Sequence, residues 1–131
     1  MEKWSQNFLG IMIPYFPNLF VVQGPGSPSV LTNVPVQIEQ HVEWITNCID
    51  YLEKNKKQTI EATTKSANIW SKEIMKLANA SLFMKAKSSW YKGDNIPGKP
   101  KIFIPYPGGM PKYRSICDKV EKNKYKQFKI S

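Results

Sequence analysis

Residues 16–39, FPNLFVVQGPGSPSVLTNVPVQIE, constrain the fold more than any other stretch of this chain. Leu19, Phe20, Val21 and Val22 form an unbroken apolar run, the pattern of a strand covered on both faces. Gly24, Pro25, Gly26, Ser27 and Pro28 interrupt it at once, because glycine opens positive φ while proline fixes φ and removes a donor. Helical periodicity starts near Val36. Strand, small-residue turn and helix N-terminus in that order form a common frame for an anionic or electron-rich group. The same order also describes an ordinary αβ corner with no ligand.

The spacing predicts a first helix over residues 36–54. Ile38, Val42, Ile45, Ile49 and Leu52 recur at steps of four and three and read as its apolar stripe. Thr32 or Asn33 can cap it, and Pro35 suits a first helical position. His41 lies one turn in, where a surface or packing role is expected rather than catalysis. A second helix is expected over residues 64–81, with Ala67, Trp70, Ile74, Leu77, Ala78 and Ser81 facing the core. Tyr113, Ile116 and Val120 mark a short closing helix before a lysine-rich tail. Residues 101–106, KIFIPY, read as a short strand that Pro105 limits to an edge. Between these elements, residues 83–110 form a long punctuated loop carrying Trp90 and Tyr91, a composition typical of binding loops.

At 131 residues the chain suffices for one modest domain. No apolar run approaches the roughly 18 residues of a membrane span, and the N-terminus lacks the apolar core and cleavage site of a secretory signal. Trp4, Phe8, Leu9, Ile11, Met12 and Ile13 make an N-terminus that needs a surface to pack on, which suggests a preceding segment. Cys48 and Cys117 show no metal-ligand spacing and fit buried thiols in a cytoplasmic protein.

The net charge of +9 raises nucleic-acid binding. Arg114 is the lone arginine among 19 basic residues, however, and both base readout and bidentate phosphate contacts favour arginine. The lysines therefore read as a solvated surface, and no nucleic-acid partner is expected. The dinucleotide fingerprint, P-loop, H-E-x-x-H and nucleophile elbow are all absent. No catalytic residue and no metal ligand can be named from the residues alone.

Several segments in fixed order go further: FLGIMIPYFPNLF, GPGSPSVLTN with IEQHVEWI, Glu61-Ala-Thr, SSWYKGDNIPGKP and PYPGGMPKYRSICDKV. Together they resemble the C-terminal part of Baeyer–Villiger monooxygenases, the flavin-dependent cyclohexanone and phenylacetone monooxygenase type. The resemblance covers almost the whole chain. It implies an α/β fold, in which residues 1–131 are a single partial domain. That domain would be the C-terminal remnant of an FAD/NAD(P)-binding Rossmann-type domain, mostly helical, with one or two short strands and a long Pro/Gly-rich loop.

It also implies FAD and NADP as cofactors and a ketone substrate converted to an ester or lactone through a peroxyflavin. By the same resemblance, residues 24–34 pass beside the flavin and the following helix points its N-terminus at the pyrimidine end. Helix N–H groups stabilise negative charge there by ~0.3–1 kcal/mol. Gly24, Thr32, Asn33, Val34, Trp90 and Lys99 then fall at cofactor-binding positions, and Ser29, Val30 and Leu31, with Val34 again, at the substrate pocket. The loop over residues 88–99 resembles the mobile segment that closes over NADP, with Trp90 reaching the cofactor.

Both glycine-rich fingerprints, the F-x-G-x-x-x-H-x-x-x-W-P signature and the catalytic arginine of that family have no counterpart in this sequence. Tyr15, Pro35 and residues 110–112 also depart from the family pattern. The expectation is a C-terminal monooxygenase fragment, inactive alone and lacking its FAD- and NADP-binding domains. The alternatives are a subunit of a split enzyme completed by an upstream polypeptide, or a non-enzymatic basic interaction module.

Overall fold

The computed structural model describes residues 6–94 and 96–131. Trp4 and the first residues, with Asn95 of the long loop, lie outside the described residues. In chain order the elements are α1 (Val34–Lys54), β1 (Ile60–Ala62), α2 (Thr64–Asn79), α3 (Met110–Lys122) and β2 (Phe128–Ile130). Short 3₁₀ turns occupy Ser29–Leu31, Phe83–Lys85 and Trp90–Lys92.

The fold is mostly helical, and β1 and β2 form one antiparallel pair with Ile60 opposite Ile130 and Ala62 opposite Phe128. A mostly helical fold with two short strands is as expected, and among the described residues the strands pair antiparallel, with no parallel strand. Leu19, Phe20, Val21 and Val22 are not a strand either. Val21 donates one backbone bond to Ile11 O at 2.7 Å, while Leu19 and Val22 are each 43% exposed. An apolar run fits a doubly covered strand only if a sheet lies beside it, and among the described residues none does. Residues 101–106, expected as a short edge strand, form none. Ile104 N–H instead donates to Tyr91 O and Tyr106 N–H to Ser27 O, at 2.7 and 2.8 Å.

The helices start where local chemistry allows. Asn33 caps α1 by accepting the Val36 N–H at 3.3 Å, Pro35 sits in its first turn, and Thr63 caps α2 through the Ser66 N–H. Buried Ala67, Trp70, Ile74 and Ala78 bear out most of the stripe on α2, while Leu77 is half-buried and Ser81 lies past the helix end at Asn79. On α1 the stripe is misplaced. Gln37, Gln40, His41, Trp44, Cys48 and Leu52 face inward, whereas Ile38, Val42 and Ile49 are exposed. Periodicity locates an apolar face but does not say which neighbour covers it.

The core joins α1, α2 and α3 to residues 8–12 and to the C-terminal tail. Trp70 stacks on Tyr106 with centroids 5.0 Å apart, and Trp44 meets Tyr125 edge-on at 5.3 Å. Both indoles find acceptors, Trp44 at Cys117 O (3.1 Å) and Trp70 at Gly26 O (3.0 Å). Among the described residues no helix is long and apolar enough to cross a membrane.

Candidate functional site

The glycine-rich turn is held by the chain itself. Leu9 and Gly10, with φ of 61° and 71°, reverse the chain between Phe8 and Met12 and set residues 7–12 against residues 24–27. A Cβ on Gly10 would come 2.5 Å from Ser27 N, and one on Gly24 would come 2.5 Å from Gly10 O. Only glycine permits so close a backbone approach. The N–H groups of the turn are spent on this junction: Gly24 donates to Gly10 O (3.1 Å), Gly26 to Ile104 O (2.9 Å) and Ser27 to Gly24 O (3.1 Å). The expected cradle for an anion is thus closed at the turn, and Gly24 contributes surface and not a donor.

The start of α1 is more open. Asn33 takes the Val36 N–H, Pro35 has no N–H, and Gln37 N–H bonds Asn33 O, which leaves Val34 N–H as the free first-turn donor among the described residues. Gln23 fixes this end from outside the helix, donating from Nε2 to Val34 O at 3.1 Å. Thr32 is extended and Asn33 exposed at the same corner. Of the residues expected at the substrate pocket, Ser29 is half-buried and Val30 exposed, while Leu31 packs against the core.

Gly24, Ser29 and Trp90 do come together. With Gln23, Pro25 and Ile104 they line an open cleft of ≈ 150 Å³. Trp90 is 58% exposed and lies on Tyr91, with ring centroids 4.3 Å apart. Lys99 lies apart from them, in a neighbouring cleft of ≈ 240 Å³ that shares Pro25 and Ile104 and also holds Lys92 and Gly93. Thr32, Asn33, Val34 and Val30 line neither cleft.

The loop bearing Trp90 is anchored from beneath. Lys92 is buried, donates through Nζ to Ala86 O and pairs with Asp94 at 3.3 Å. Gly93, at φ 67°, ends the 3₁₀ turn in the left-handed region.

Sequence reading missed the polar chain behind the turn. Gln23 N–H donates to His41 Nδ1 (3.1 Å), so the proton of the neutral ring sits on Nε2, which donates to Tyr113 Oη (2.7 Å). Tyr113 in turn donates to Leu9 O. One histidine therefore locks the turn, α1, α3 and the N-terminal segment together, the packing role expected for it. Burial lowers the His41 pKa to about 4 and raises the Cys48 and Cys117 thiols to about 12. Histidine and thiols are thus inert structural groups near neutral pH. The described residues gather no group of three side chains able to hold a metal ion.

No protein-family model matches the chain. It is 37% identical to a cyclohexanone 1,2-monooxygenase from an Acinetobacter species, over 98% of this chain and 24% of that enzyme. It is equally similar, at 37%, to a Baeyer–Villiger monooxygenase from Pseudooceanicola batsensis, over 95% of this chain and 23% of the relative. Among solved structures, cyclohexanone monooxygenase from Rhodococcus sp. Phi1 bound to NADP+ superposes with a TM-score of 0.88 at 36% identity, over 96% of this chain and 23% of the other. OTEMO in complex with FAD and NADP gives 0.85 at 27% identity, again over 96% and 23%. The chain thus spans about a quarter of the length of the relatives it matches. In sequence and in fold it is homologous to the C-terminal quarter of the Baeyer–Villiger monooxygenases of the cyclohexanone monooxygenase type.

Proposed function

We propose that this chain forms one wall of the FAD and NADP site of a Baeyer–Villiger monooxygenase, converting a ketone to an ester or lactone, and has no turnover alone. The observation that carries this reading is the size of the cleft that unites residues 23–29 with Trp90. At ≈ 150 Å³ it is well below the ~300 Å³ at which small-molecule pockets begin. A wall fits these residues; a complete dinucleotide pocket does not.

Bound flavin would supply the oxygen-activating chemistry, and this chain's residues would position and enclose. Val34 N–H at the positive end of α1 would face negative charge on the flavin, beside Thr32 and Asn33. Trp90 would present an aromatic face and one N–H donor to the nucleotide, and Lys99 a cation to its phosphates. Ser29 and Val30 would border the ketone, with Leu31 supporting them from the core side. Closing the Trp90 loop would exclude water from the flavin. The dinucleotide-binding domains would come from other sequence, in the same polypeptide or a separate one. Two buried thiols support a cytoplasmic setting.

The test is co-expression with the Acinetobacter cyclohexanone monooxygenase cut where its match to this chain begins. Ketone-dependent NADPH oxidation should appear for the pair and for neither piece alone. Turnover by the purified chain with added FAD would overturn the proposal, as would a silent pair whose pieces associate and hold flavin.

A further inference from the structure

The α1 helix has three faces. Gln37, Gln40, His41, Trp44, Cys48 and Leu52 look into the core. Glu39, Glu43 and Asp50 form a charged side. Between them, beside the buried face and turned about 100° from it at 3.6 residues per turn, runs a strip of Ile38, Val42, Ile45 and Ile49. Val42 is 50% exposed, Ile38 and Ile49 are also exposed, and Ile45 is half-covered. The helix therefore places two glutamines and a histidine inside and branched aliphatics outside. Gln37 is fully buried with neither amide atom bonded, so the inward face is not the better apolar one.

We infer that this strip is the docking face for the dinucleotide-binding body of the enzyme, an inference that rests on the functional reading above. Two observations identify the occupant. First, the matched relatives are some four times longer than this chain, so most of such an enzyme lies beyond these residues, and an aliphatic strip over three turns is what a neighbouring domain covers. Second, α1 carries four of the chain's ten acidic residues, Glu39, Glu43, Asp50 and Glu53, against Lys54 alone among its nineteen basic ones. A second copy seated through the same strip would bring two acidic helices together, so the strip disfavours self-pairing. The face that fits is apolar at its centre and neutral or basic at its rim.

The test uses the co-expressed pair with a tag on the shortened Acinetobacter enzyme, comparing wild type, the double variant Val42→Glu/Ile49→Glu and the control Ile69→Glu on the exposed side of α2. Expected are co-purification of wild type and control, at least a tenfold loss for the double variant, and an unchanged melting temperature of the double variant on its own. Equal capture of the double variant overturns the docking face and leaves the functional reading standing. Failure of the wild type to associate overturns both. A double variant that is unfolded alone also overturns the inference, because Val42 and Ile49 would then belong to this chain's own core.

Discussion

The inner and outer sides of the same corner of this molecule are finished to different degrees. Inside, where residues 7–12, residues 23–27, α1 and α3 meet, donors are matched to acceptors through Gln23, His41, Tyr113 and Leu9, and backbones touch across Gly10 and Gly24. Outside, Ile38 and Val42 of α1 face solvent, as do Leu19, Val22, Val30 and Trp90 of the neighbouring loops. The contrast separates two jobs. The glycine-rich turn holds this chain together, while the outward surface beside it leaves apolar side chains uncovered, as the proposed function requires.

The inner side breaks hardest at Gly10. Gly10→Ala forces a side chain into positive φ and into Ser27 N, and should cost about 3–4 kcal/mol, read as a fall in denaturation midpoint. A neutral result would mean that the backbones do not meet there.

Acid should come next. The folded His41 pKa of about 4 lies below the ordinary 6.5, so the unfolded chain takes up the proton first. The His41 contribution is complete above pH 6.5, is lost as pH falls to about 4 and is constant below, a change of about 3 kcal/mol. Unfolding titrations across that window should show it in wild type and lose it in His41→Gln.

Tyr113→Phe strands the His41 Nε2–H and Leu9 O together and should cost about 2 kcal/mol at neutral pH. On the outer side, Trp90→Ala should move stability by no more than about 0.5 kcal/mol, because the ring is mostly exposed. In the completed enzyme the same change should lower ketone-dependent NADPH oxidation at least tenfold. A large loss of stability without loss of oxidation would place Trp90 on the inner side of the comparison. Lys54→Ala, which breaks a solvent-exposed pair with Asp50, should stay within about 0.5 kcal/mol.

The inner side was only partly legible in the sequence. Helix positions, the Asn33 cap and the α2 core stripe follow from short-range rules that act within one element. Two features did not follow. The run from Leu19 to Val22 satisfies a strand pattern although no sheet lies beside it among the described residues, and the α1 stripe satisfies a core pattern although Ile38, Val42 and Ile49 are exposed. The real strands were missed because Ile60–Ala62 and Phe128–Ile130 are three residues each, the second within a lysine-rich tail that hides Tyr125 and Phe128. The His41–Tyr113 contact spans 72 positions, and no local signal encodes it.

For the site, the ordered family segments named Gly24, Ser29 and Trp90, and these share a cleft. For the glycine-rich turn the sequence left open both a ligand frame and an ordinary corner. The glycines' donors go to Gly10 and Ile104, partners that composition alone could not reveal.

Titration of the purified chain with FAD, followed by flavin fluorescence, tests most directly whether the molecule is one wall of a site. The expected result is no saturable change up to millimolar FAD. Stoichiometric binding with a Kd of about 1 μM or tighter, which corresponds to roughly −8 kcal/mol, would show a complete flavin site within these residues and contradict the account.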